Sequence, residues 1–412
     1  MRVEVPYLKD LIPIDLPEGS LVVEPNDVEA AADPVSLVRG AVDAPIESRP
    51  LGSFLEGAGR TLVIVNDATR PTPTRAVLDA IGDELEAAGA SFIVATGAHR
   101  APTEEEYRQI LGPHYGRFRP RTVAHDARDA ASQVDLGKTR NGTPILLDKA
   151  VFEADRVLVT GSVEPHYFAG YTGGRKAFLP GVAGYATIEA NHKLALSPKA
   201  VSLELDDNPV SQDMEDALRL IPKPVFSIMT VLDKRQRLVG CCAGEIRSSF
   251  KAAVERADAI FAVRMRERAD IVISVARFPM DIDLYQSQKA IDNGALALAD
   301  GGILIMVASC RDGVGDTAFL ELLGSAANPA EALRRIGEGY RLGYHKAAKI
   351  AVVASRASIR AVSELDAATL RKAFISKQRS IPEALRDALS EKGPSAKVAV
   401  LLDGTVTVPL LG

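Results

Sequence analysis

The chain has few cysteines and no long uninterrupted apolar segment. Its cysteines, Cys241, Cys242 and Cys310, form neither a disulfide framework nor a C-x-x-C metal site, and they suit a reducing compartment. No segment approaches the roughly 20 continuous apolar residues that cross a bilayer. The N-terminal sequence MRVEVPYLKDLIPIDLP lacks the basic and apolar regions of a signal peptide. We therefore expect a soluble, cytoplasmic protein that works without a membrane.

The chain also lacks a large excess of charge of either sign. There are 49 Lys and Arg residues against 54 Asp and Glu residues, for a formal net charge of −5. Both signs are scattered along the chain, which argues against a nucleic-acid-binding surface and favours a small-molecule partner. With 412 residues, 47% of them apolar, the chain is long enough for two or more domains with their own cores.

Short runs rich in Val and Ile alternate with segments of helical length, which is typical of α/β domains with mostly parallel sheets. The clearest helix is predicted at 75–89. A second series of strands begins near Ala269, so we predict an N-terminal α/β domain over 1–266 and a smaller C-terminal α/β domain over 267–392. The last strand-like run could return to either domain, and we assign 393–412 to the N-terminal one. The predicted strands are 61–67, 91–99, 121–126, 156–163, 269–276, 301–309, 349–355 and 397–404.

Several polar residues stand at, or just beyond, the ends of predicted strands. Ligands of open parallel sheets bind outside the carboxyl ends of the strands, so the pattern predicts one shared site. A helix start after His99 is explained by Thr103 and Glu106, which have the spacing of a capping box, so His99 is not needed for it. No role is assigned to one member of the set, His125. The strand-end residues are Asp67, His99, His125 and His166.

The richest segment is EPHYFAGYTGGRKAFLPGVAGYATIEANH, at 164–192. Gly170, Gly173 and Gly174 allow the backbone to approach a ligand closely, and Lys176 follows them. The spacing is not that of a nucleotide P-loop, because that motif needs Gly-x-x-x-x-Gly-Lys-Ser/Thr. Taken alone, the segment is also compatible with a surface Ω-loop that carries a solvated lysine.

Two further motifs carry polar groups suited to ligand binding. In NDATRPTPT, Arg70 has the planar fork that binds a carboxylate or phosphate through two hydrogen bonds. In the alternative interpretation, Asp67 or Thr69 caps the next helix and Arg70 pairs with a surface acid. In YQSQKAIDNGA, Gln286 and Lys289 stand at a helical i, i+3 spacing, either facing one ligand or forming the solvated face of an amphipathic helix.

His166 and His192 are candidate metal ligands. No cysteine pair or H-E-x-x-H pattern completes a tetrahedral set around them, so a metal held here needs donors other than side chains. A conventional NAD-dependent dehydrogenase is disfavoured, because no clear Gly-x-Gly-x-x-Gly follows an early strand.

The motifs NDATRP, GAHR, HYFAGYTGGRKAFLPG, the following NH and YQSQKA occur in the order and approximate spacing of one family. On these motifs the chain resembles the nickel-dependent lactate racemase family, also called the nickel-pincer-nucleotide 2-hydroxyacid racemases and epimerases. The resemblance spans nearly the whole chain. It implies two α/β domains with mostly parallel sheets and an active-site cleft between them, the N-terminal domain carrying the cofactor and the catalytic groups.

The resemblance implies a cofactor, the nickel-pincer nucleotide (pyridinium-3-thioamide-5-thiocarboxylic acid mononucleotide). Its two sulfurs and one ring carbon hold Ni(II), and one imidazole completes a flat arrangement that suits this metal. The implied roles are covalent attachment by Lys176, nickel binding by His192, ordering of the cofactor site by Asp67, Thr69, Gly173 and Gly174, acid/base catalysis by His99 and His166, and substrate binding by Arg70, Gln286, Lys289, Phe168 and Tyr285.

The family reaction inverts C2 of a 2-hydroxy acid, by hydride transfer to and from the cofactor through a 2-keto acid. Each enantiomer needs a proton acceptor for its hydroxyl, and two histidines meet that need. The enzymes that make the cofactor are implied partners. Two alternatives stay open: abstraction of the C2 proton by paired histidines, and a non-catalytic protein that binds the cofactor or a hydroxy acid. The motifs do not indicate the side group of the substrate or the oligomeric state.

Overall fold

The computed structural model describes the whole chain, residues 1–412. The chain divides into two compact units: residues 27–260, called here the N-terminal unit, and residues 1–26 with 261–412, called the C-terminal unit. Each unit is built around one six-stranded sheet. None of the helices combines the length and apolar character that crossing a lipid bilayer requires.

The strands, in chain order, are β1 (Arg2–Tyr7), β2 (Asp10–Asp15), β3 (Leu21–Val23), β4 (Thr61–Asn66), β5 (Ser91–Ala95), β6 (Thr122–Ala124), β7 (Gln133–Lys138), β8 (Pro144–Asp148), β9 (Arg156–Ser162), β10 (Pro165–His166), β11 (Gly170–Tyr171), β12 (Val225–Leu232), β13 (Leu238–Glu245), β14 (Ala262–Met265), β15 (Ala269–Val275), β16 (Leu298–Val307), β17 (Ser358–Val362), β18 (Ile375–Gln378), β19 (Val398–Leu401) and β20 (Val408–Leu411).

The α-helices are α1 (Pro34–Asp43), α2 (Leu51–Leu55), α3 (Thr74–Ala87), α4 (Glu104–Leu111), α5 (Tyr115–Phe118), α6 (Ala150–Glu153), α7 (Tyr185–Lys193), α8 (Pro209–Arg219), α9 (Ile246–Phe261), α10 (Leu284–Leu296), α11 (Ala318–Ser325), α12 (Pro329–Glu338), α13 (Tyr344–Ala354), α14 (Ala367–Lys372) and α15 (Ile381–Lys392). Short 3-10 turns lie at Gly112–His114, Arg119–Arg121, Ala130–Ser132, Gly174–Ala177 and Leu194–Leu196.

The sheet of the N-terminal unit has the order β13-β12-β9-β4-β5-β6. All neighbours are parallel except β12 and β13. Strand β4, TLVIVN, buries five consecutive residues, as expected for a strand covered on both faces. Val38 of α1 and Ile81 of α3 are buried in the same core as Val63 and Phe92 of the sheet. This arrangement brings the carboxyl ends of β4, β5 and β9 to one edge.

The sheet of the C-terminal unit has the order β18-β17-β16-β15-β19-β3, and all neighbours are parallel. The β1–β2 hairpin and α15 contribute Val5, Ile14, Ile381 and Leu385 to its core. Helix α10 follows β15 and packs against β15 and β16. Its first turn therefore begins beyond the carboxyl end of a buried strand.

The structure corrects the predicted domain organisation at the chain termini. Residues 393–412 do not complete the N-terminal unit, because β19 lies between β15 and β3, and β20 pairs with β14. The first 26 residues also belong to the C-terminal unit. A short apolar run indicates a buried strand but not the sheet that receives it, since strands pair through main-chain groups that all residues share.

One predicted strand was wrong, and several strands were missed, including two of the six in the N-terminal sheet. The run at 349–355 lies in helix α13, whose buried residues Ala347, Ile350 and Ala351 recur at helical spacing. A short apolar run fits either a buried strand or a buried helix, so its pattern alone does not decide. Strands β12 and β13 were not among the predicted elements.

Other predictions are confirmed. Both units are α/β with mostly parallel sheets. The helix predicted at 75–89 is α3. The capping box at the start of α4 is present, because Thr103 accepts from the Glu106 main-chain N–H while the Glu106 side chain accepts from the Thr103 main-chain N–H.

Candidate active site

Asp67 and His99, which follow the parallel neighbours β4 and β5, are in direct contact. Nδ1 of His99 lies 2.8 Å from Oδ2 of Asp67. Oδ1 of Asp67 accepts hydrogen bonds from the main-chain N–H and the hydroxyl of Thr69, at 3.1 and 2.6 Å. The Asp67 side chain is only 7% exposed, whereas that of His99 is 52% exposed. The imidazole is therefore anchored on one side and accessible on the other.

The protonation of this pair follows from its contacts. Burial raises the pKa of Asp67, but the hydrogen bonds from His99 and Thr69 act in the opposite direction, and the pKa is lowered overall. A carboxylate only accepts hydrogen bonds, so Nδ1 of His99 carries the hydrogen. Nε2 then has the lone pair that a general base requires.

Arg70 belongs to the same loop as Asp67. Its main-chain N–H donates to the Asp67 carbonyl at 3.2 Å, whereas its half-buried guanidinium forms no hydrogen bond or ion pair in the structure. Helix α3 has Pro73 at its N-cap and no side-chain cap. The alternative in which Asp67 or Thr69 caps this helix and Arg70 pairs with a surface acid is therefore not what the structure shows.

His166 lies on a two-strand hairpin, β10–β11. Its Nδ1 accepts a hydrogen bond from the Ala169 main-chain N–H at 3.3 Å. The ring of Phe168 lies 4.6 Å from that of His166 and 5.1 Å from that of His192, measured between centroids. Nζ of Lys176 lies 5.7 Å from the centroid of Phe168. Three of the predicted functional groups thus surround one aromatic ring.

Gly173 and Gly174 have positive φ angles, +82° and +54°. A Cβ on Gly173 would stand 2.7 Å from Cγ2 of Val163, and a Cβ on Gly174 would stand 2.8 Å from the ring of Phe250. The Gly174 N–H donates to Sδ of Met229 at 3.0 Å. The packing of the protein itself therefore requires both glycines, whatever the loop contacts on its other side.

His192 lies in the last turn of α7. Burial, followed by the positive charge of Lys176, lowers the pKa of His192 to about 3, and the charge of His99 acts in the same direction. The imidazole is therefore neutral, which is the form that binds metals. Nowhere in the chain do three His, Cys, Asp or Glu side chains converge as an all-protein metal site would require.

His125, the remaining strand-end histidine, has a structural role inside the N-terminal unit. Its side chain has no exposed surface. Nδ1 lies 2.9 Å from Oδ2 of Asp148, and Nε2 lies 2.9 Å from the carbonyl oxygen of Ala183. Both ring nitrogens are thus bonded within the protein, and they tie the end of β6 to the segment that leads into α7.

The remaining predicted residues lie at the start of α10 in the C-terminal unit. Asp283 caps this helix by accepting from the Gln286 main-chain N–H at 2.7 Å. Nζ of Lys289 donates to Sδ of Met280 at 3.2 Å. The side chains of Tyr285, Gln286 and Lys289 are all half-buried. They lie in the first two turns of the helix that follows β15, after a loop of eight residues.

Sequence reasoning missed the residues that hold the 164–192 segment in place. The Tyr171 hydroxyl donates to the Asp258 carboxylate on α9. Met229 of β12 holds the Gly174 amide, and Arg175, within the segment itself, is buried and donates to the Ala169 carbonyl and the Ser211 hydroxyl. No local pattern indicated Met229 or Asp258, because each acts on a segment far away along the chain.

Comparison with known proteins decides the family. Residues 7–202 match the family model of the lactate racemase N-terminal domain, and residues 264–408 match that of the lactate racemase C-terminal domain. The lactate racemase of Lactiplantibacillus plantarum is 30% identical over 420 residues, which cover 98% of this chain and 98% of that protein. The chain belongs to the lactate racemase family. As a member of this family it is an isomerase.

Other lactate racemase relatives agree over the full length. The lactate racemase of Thermoanaerobacterium thermosaccharolyticum is 28% identical over 422 residues, which cover 99% of both chains. The solved structure of its apoprotein matches with a TM-score of 0.93 over 100% of both chains, at 28% identity. A Thermotoga maritima protein matches with a TM-score of 0.69 and 15% identity, over 93% of this chain and 100% of that one, which shows the fold alone.

Proposed function

We propose that this isomerase inverts C2 of a 2-hydroxy acid, with lactate or a lactate-like acid as its substrate class. The observation that supports this function best is that the proposed acid/base, metal-binding and cofactor-attachment side chains lie close together within one unit. His166, His192 and Lys176 surround Phe168, and both Lys176 and His99 are close enough to lower the pKa of His192.

The residues fit the nickel-pincer nucleotide. Covalent attachment needs an amine, and Lys176 offers one beside Phe168. Nickel held by two sulfurs and a carbon of the cofactor needs one further ligand, and the His192 ring contacts the same aromatic side chain. Asp67 and Thr69 order the neighbouring loop, and Gly173 and Gly174 shape the turn before Lys176.

When bound, the cofactor supplies the acceptor for the C2 hydride, and the substrate passes through a 2-keto acid. Arg70 binds the substrate carboxylate with its fork, helped by Gln286 and Lys289. His99 takes the hydroxyl proton of one enantiomer at Nε2, because Asp67 holds the hydrogen on Nδ1. His166 serves the hydroxyl of the other enantiomer. We also propose that Phe168 and Tyr285 contribute apolar side chains for substrate binding.

The cofactor proposal is tested by intact-mass measurement after co-expression with the cofactor-making enzymes in the cytoplasm, our proposed location of the protein. We expect a mass increment on the wild-type chain and on Lys193→Ala, a control at an exposed lysine of α7, but none on Lys176→Ala. His192→Ala should keep the increment and lose the nickel in metal analysis. An increment on Lys176→Ala would overturn the attachment site.

The reaction proposal is tested by screening 2-hydroxy acids for epimerisation at C2, using substrate deuterated at that carbon. Hydride return keeps the label on carbon, whereas proton abstraction by paired histidines releases it to solvent. Loss of the label during turnover would rule out hydride return. A loaded protein that binds hydroxy acids without ever equilibrating their epimers would instead be a binding protein.

A further inference from the structure

Arg175, the residue before the proposed attachment lysine, is a buried cation with neutral partners. Its side chain is 4% exposed, and burial lowers its pKa to about 10. Nη2 donates to the Ala169 carbonyl at 3.3 Å and to the Ser211 hydroxyl at 3.1 Å, and the guanidinium carbon lies 4.6 Å from the centroid of the Phe250 ring. Nη1 is buried without a hydrogen-bond partner. Burying a charged group in this way is unfavourable, so packing alone does not account for this side chain.

The contact of Arg175 with Ala169 leads directly to His166. The Ala169 carbonyl accepts from Arg175, and the main-chain N–H of the same residue donates to Nδ1 of His166 at 3.3 Å. A main-chain N–H can only donate, so the nitrogen that faces it must be the one without a hydrogen. In the neutral imidazole of His166 the hydrogen is therefore on Nε2.

His99 has the opposite arrangement. Its Nδ1 faces the ionised carboxylate of Asp67, so the hydrogen is on Nδ1 and the lone pair is on Nε2. The contacts around the two rings thus assign one proton acceptor and one hydrogen-bond donor to the pair of histidines.

We propose that Arg175 is a positioning residue that, through Ala169, holds His166 in the Nε2–H tautomer, so that His99 and His166 meet the substrate with opposite tautomers. The catalytic meaning of this arrangement rests on the proposed function, whereas the tautomers themselves are properties of the apoprotein. His99 accepts the hydroxyl proton of its enantiomer directly. His166 donates a hydrogen bond from Nε2 to an oxygen at C2. Before its Nε2 can accept a proton, the hydrogen must move to Nδ1, and this requires breaking the hydrogen bond from the Ala169 amide.

The test is long-range 1H–15N correlation spectroscopy on full-length apoprotein with 15N-labelled histidine, at a mildly alkaline pH. Signals are assigned with His166→Gln and His99→Gln. We expect His166 to show an unprotonated Nδ1 and a protonated Nε2, and His99 to show the reverse. A wild-type spectrum in which Nδ1 of His166 carries the hydrogen overturns the proposal without any variant.

The Arg175→Met variant keeps an unbranched apolar side chain and removes the group that donates to the Ala169 carbonyl. We expect the His166 signals to move toward the average of the two tautomers while those of His99 stay in place. Ser211→Ala, which leaves the Ala169 contact intact, serves as the control and should keep the wild-type pattern. An Arg175→Met protein that is folded and keeps the wild-type His166 signals would refute the positioning role. If Arg175→Met does not fold, the wild-type spectrum still decides whether His166 and His99 have opposite tautomers.

In the cofactor-loaded enzyme, Arg175→Met should lower kcat by about tenfold, the order expected for one lost hydrogen bond, with little change in KM. If the wild type shows the expected tautomers but epimerises no 2-hydroxy acid, the proposed function fails while the tautomer assignment stands. If the wild type epimerises its substrate but has the other His166 tautomer, this inference fails alone.

Discussion

The carboxylate of buried Asp67 accepts a hydrogen bond of 2.8 Å from Nδ1 of His99, a residue that is half exposed. Because Asp67 also accepts two hydrogen bonds from Thr69, its position is set by its own loop, and it sets the ring of His99 in turn. One strand end thus carries the orienting group, and the neighbouring strand end carries the proposed base.

Asp67→Asn should lower kcat by at least about 100-fold, because the amide can donate to Nδ1 and move the hydrogen of His99 to Nε2, where the base is needed. Steady-state kinetics on loaded enzyme measure the effect, and intact mass verifies that the cofactor is still attached. A loss of kcat no greater than about threefold, on fully loaded protein, would show that Asp67 does not orient the base.

His125→Ala and His99→Ala should separate stability from activity. His125→Ala leaves the Asp148 carboxylate buried without its partner and should lower the free energy of unfolding by about 3 kcal/mol. His99→Ala removes a half-exposed ring and one hydrogen bond to buried Asp67, which Thr69 still holds, so it should cost only about 1 kcal/mol, yet abolish epimerisation. Urea titration measures both variants. Equal destabilisation by the two would contradict the structural role assigned to His125.

Arg70→Met should raise KM by roughly 10- to 100-fold, the range expected for losing charge-assisted hydrogen bonds to a carboxylate. Because the Arg70 guanidinium makes no ion pair within the protein, Tm should change little. Arg70→Lys keeps the charge but cannot form the paired hydrogen bonds of a guanidinium, so its KM should lie between those of Arg70→Met and the wild type. An unchanged KM in Arg70→Met would remove Arg70 from the carboxylate site.

Glu106→Gln should lower the Tm at neutral pH and lose its effect in acid. Hydrogen bonds from Arg100 lower the pKa of Glu106 to about 2, from an ordinary value of 4.5. A lowered pKa stabilises the fold fully above the ordinary value, and the contribution is lost as pH falls toward 2. The Tm gap between wild type and variant should therefore close between pH 4.5 and about 2.

Glutamine can still close the capping box, so the Glu106→Gln variant isolates the charge. Thr103→Ala is the matched control, because it removes the cap itself and should cost about 1 kcal/mol at neutral pH. A Tm gap for Glu106→Gln that stays constant down to pH 3 would contradict the assignment of the lowered pKa to this carboxylate.

The residues at the strand ends show which parts of the site the local sequence pattern predicts. Asp67 and His99 were predicted to share a site because parallel neighbours end at one edge, and the structure joins them through a hydrogen bond. His125 satisfied the same pattern but lies buried against Asp148 and Ala183. Position at a strand end does not say whether a side chain turns toward the open edge or into the core, since that depends on segments distant in sequence.

The sequence by itself determined the α/β character of both units, helix α3, the capping box of α4 and the set of polar residues at the strand ends, because each depends on periodicity or short spacing. Tertiary structure alone decided that β19 and β20 join the C-terminal unit and that 349–355 is helical. It also decided that Met229, Asp258 and Arg175 hold the loop around His166 and Lys176. Those outcomes depend on which distant main-chain and side-chain groups satisfy one another once water is excluded, and no local pattern carries that information.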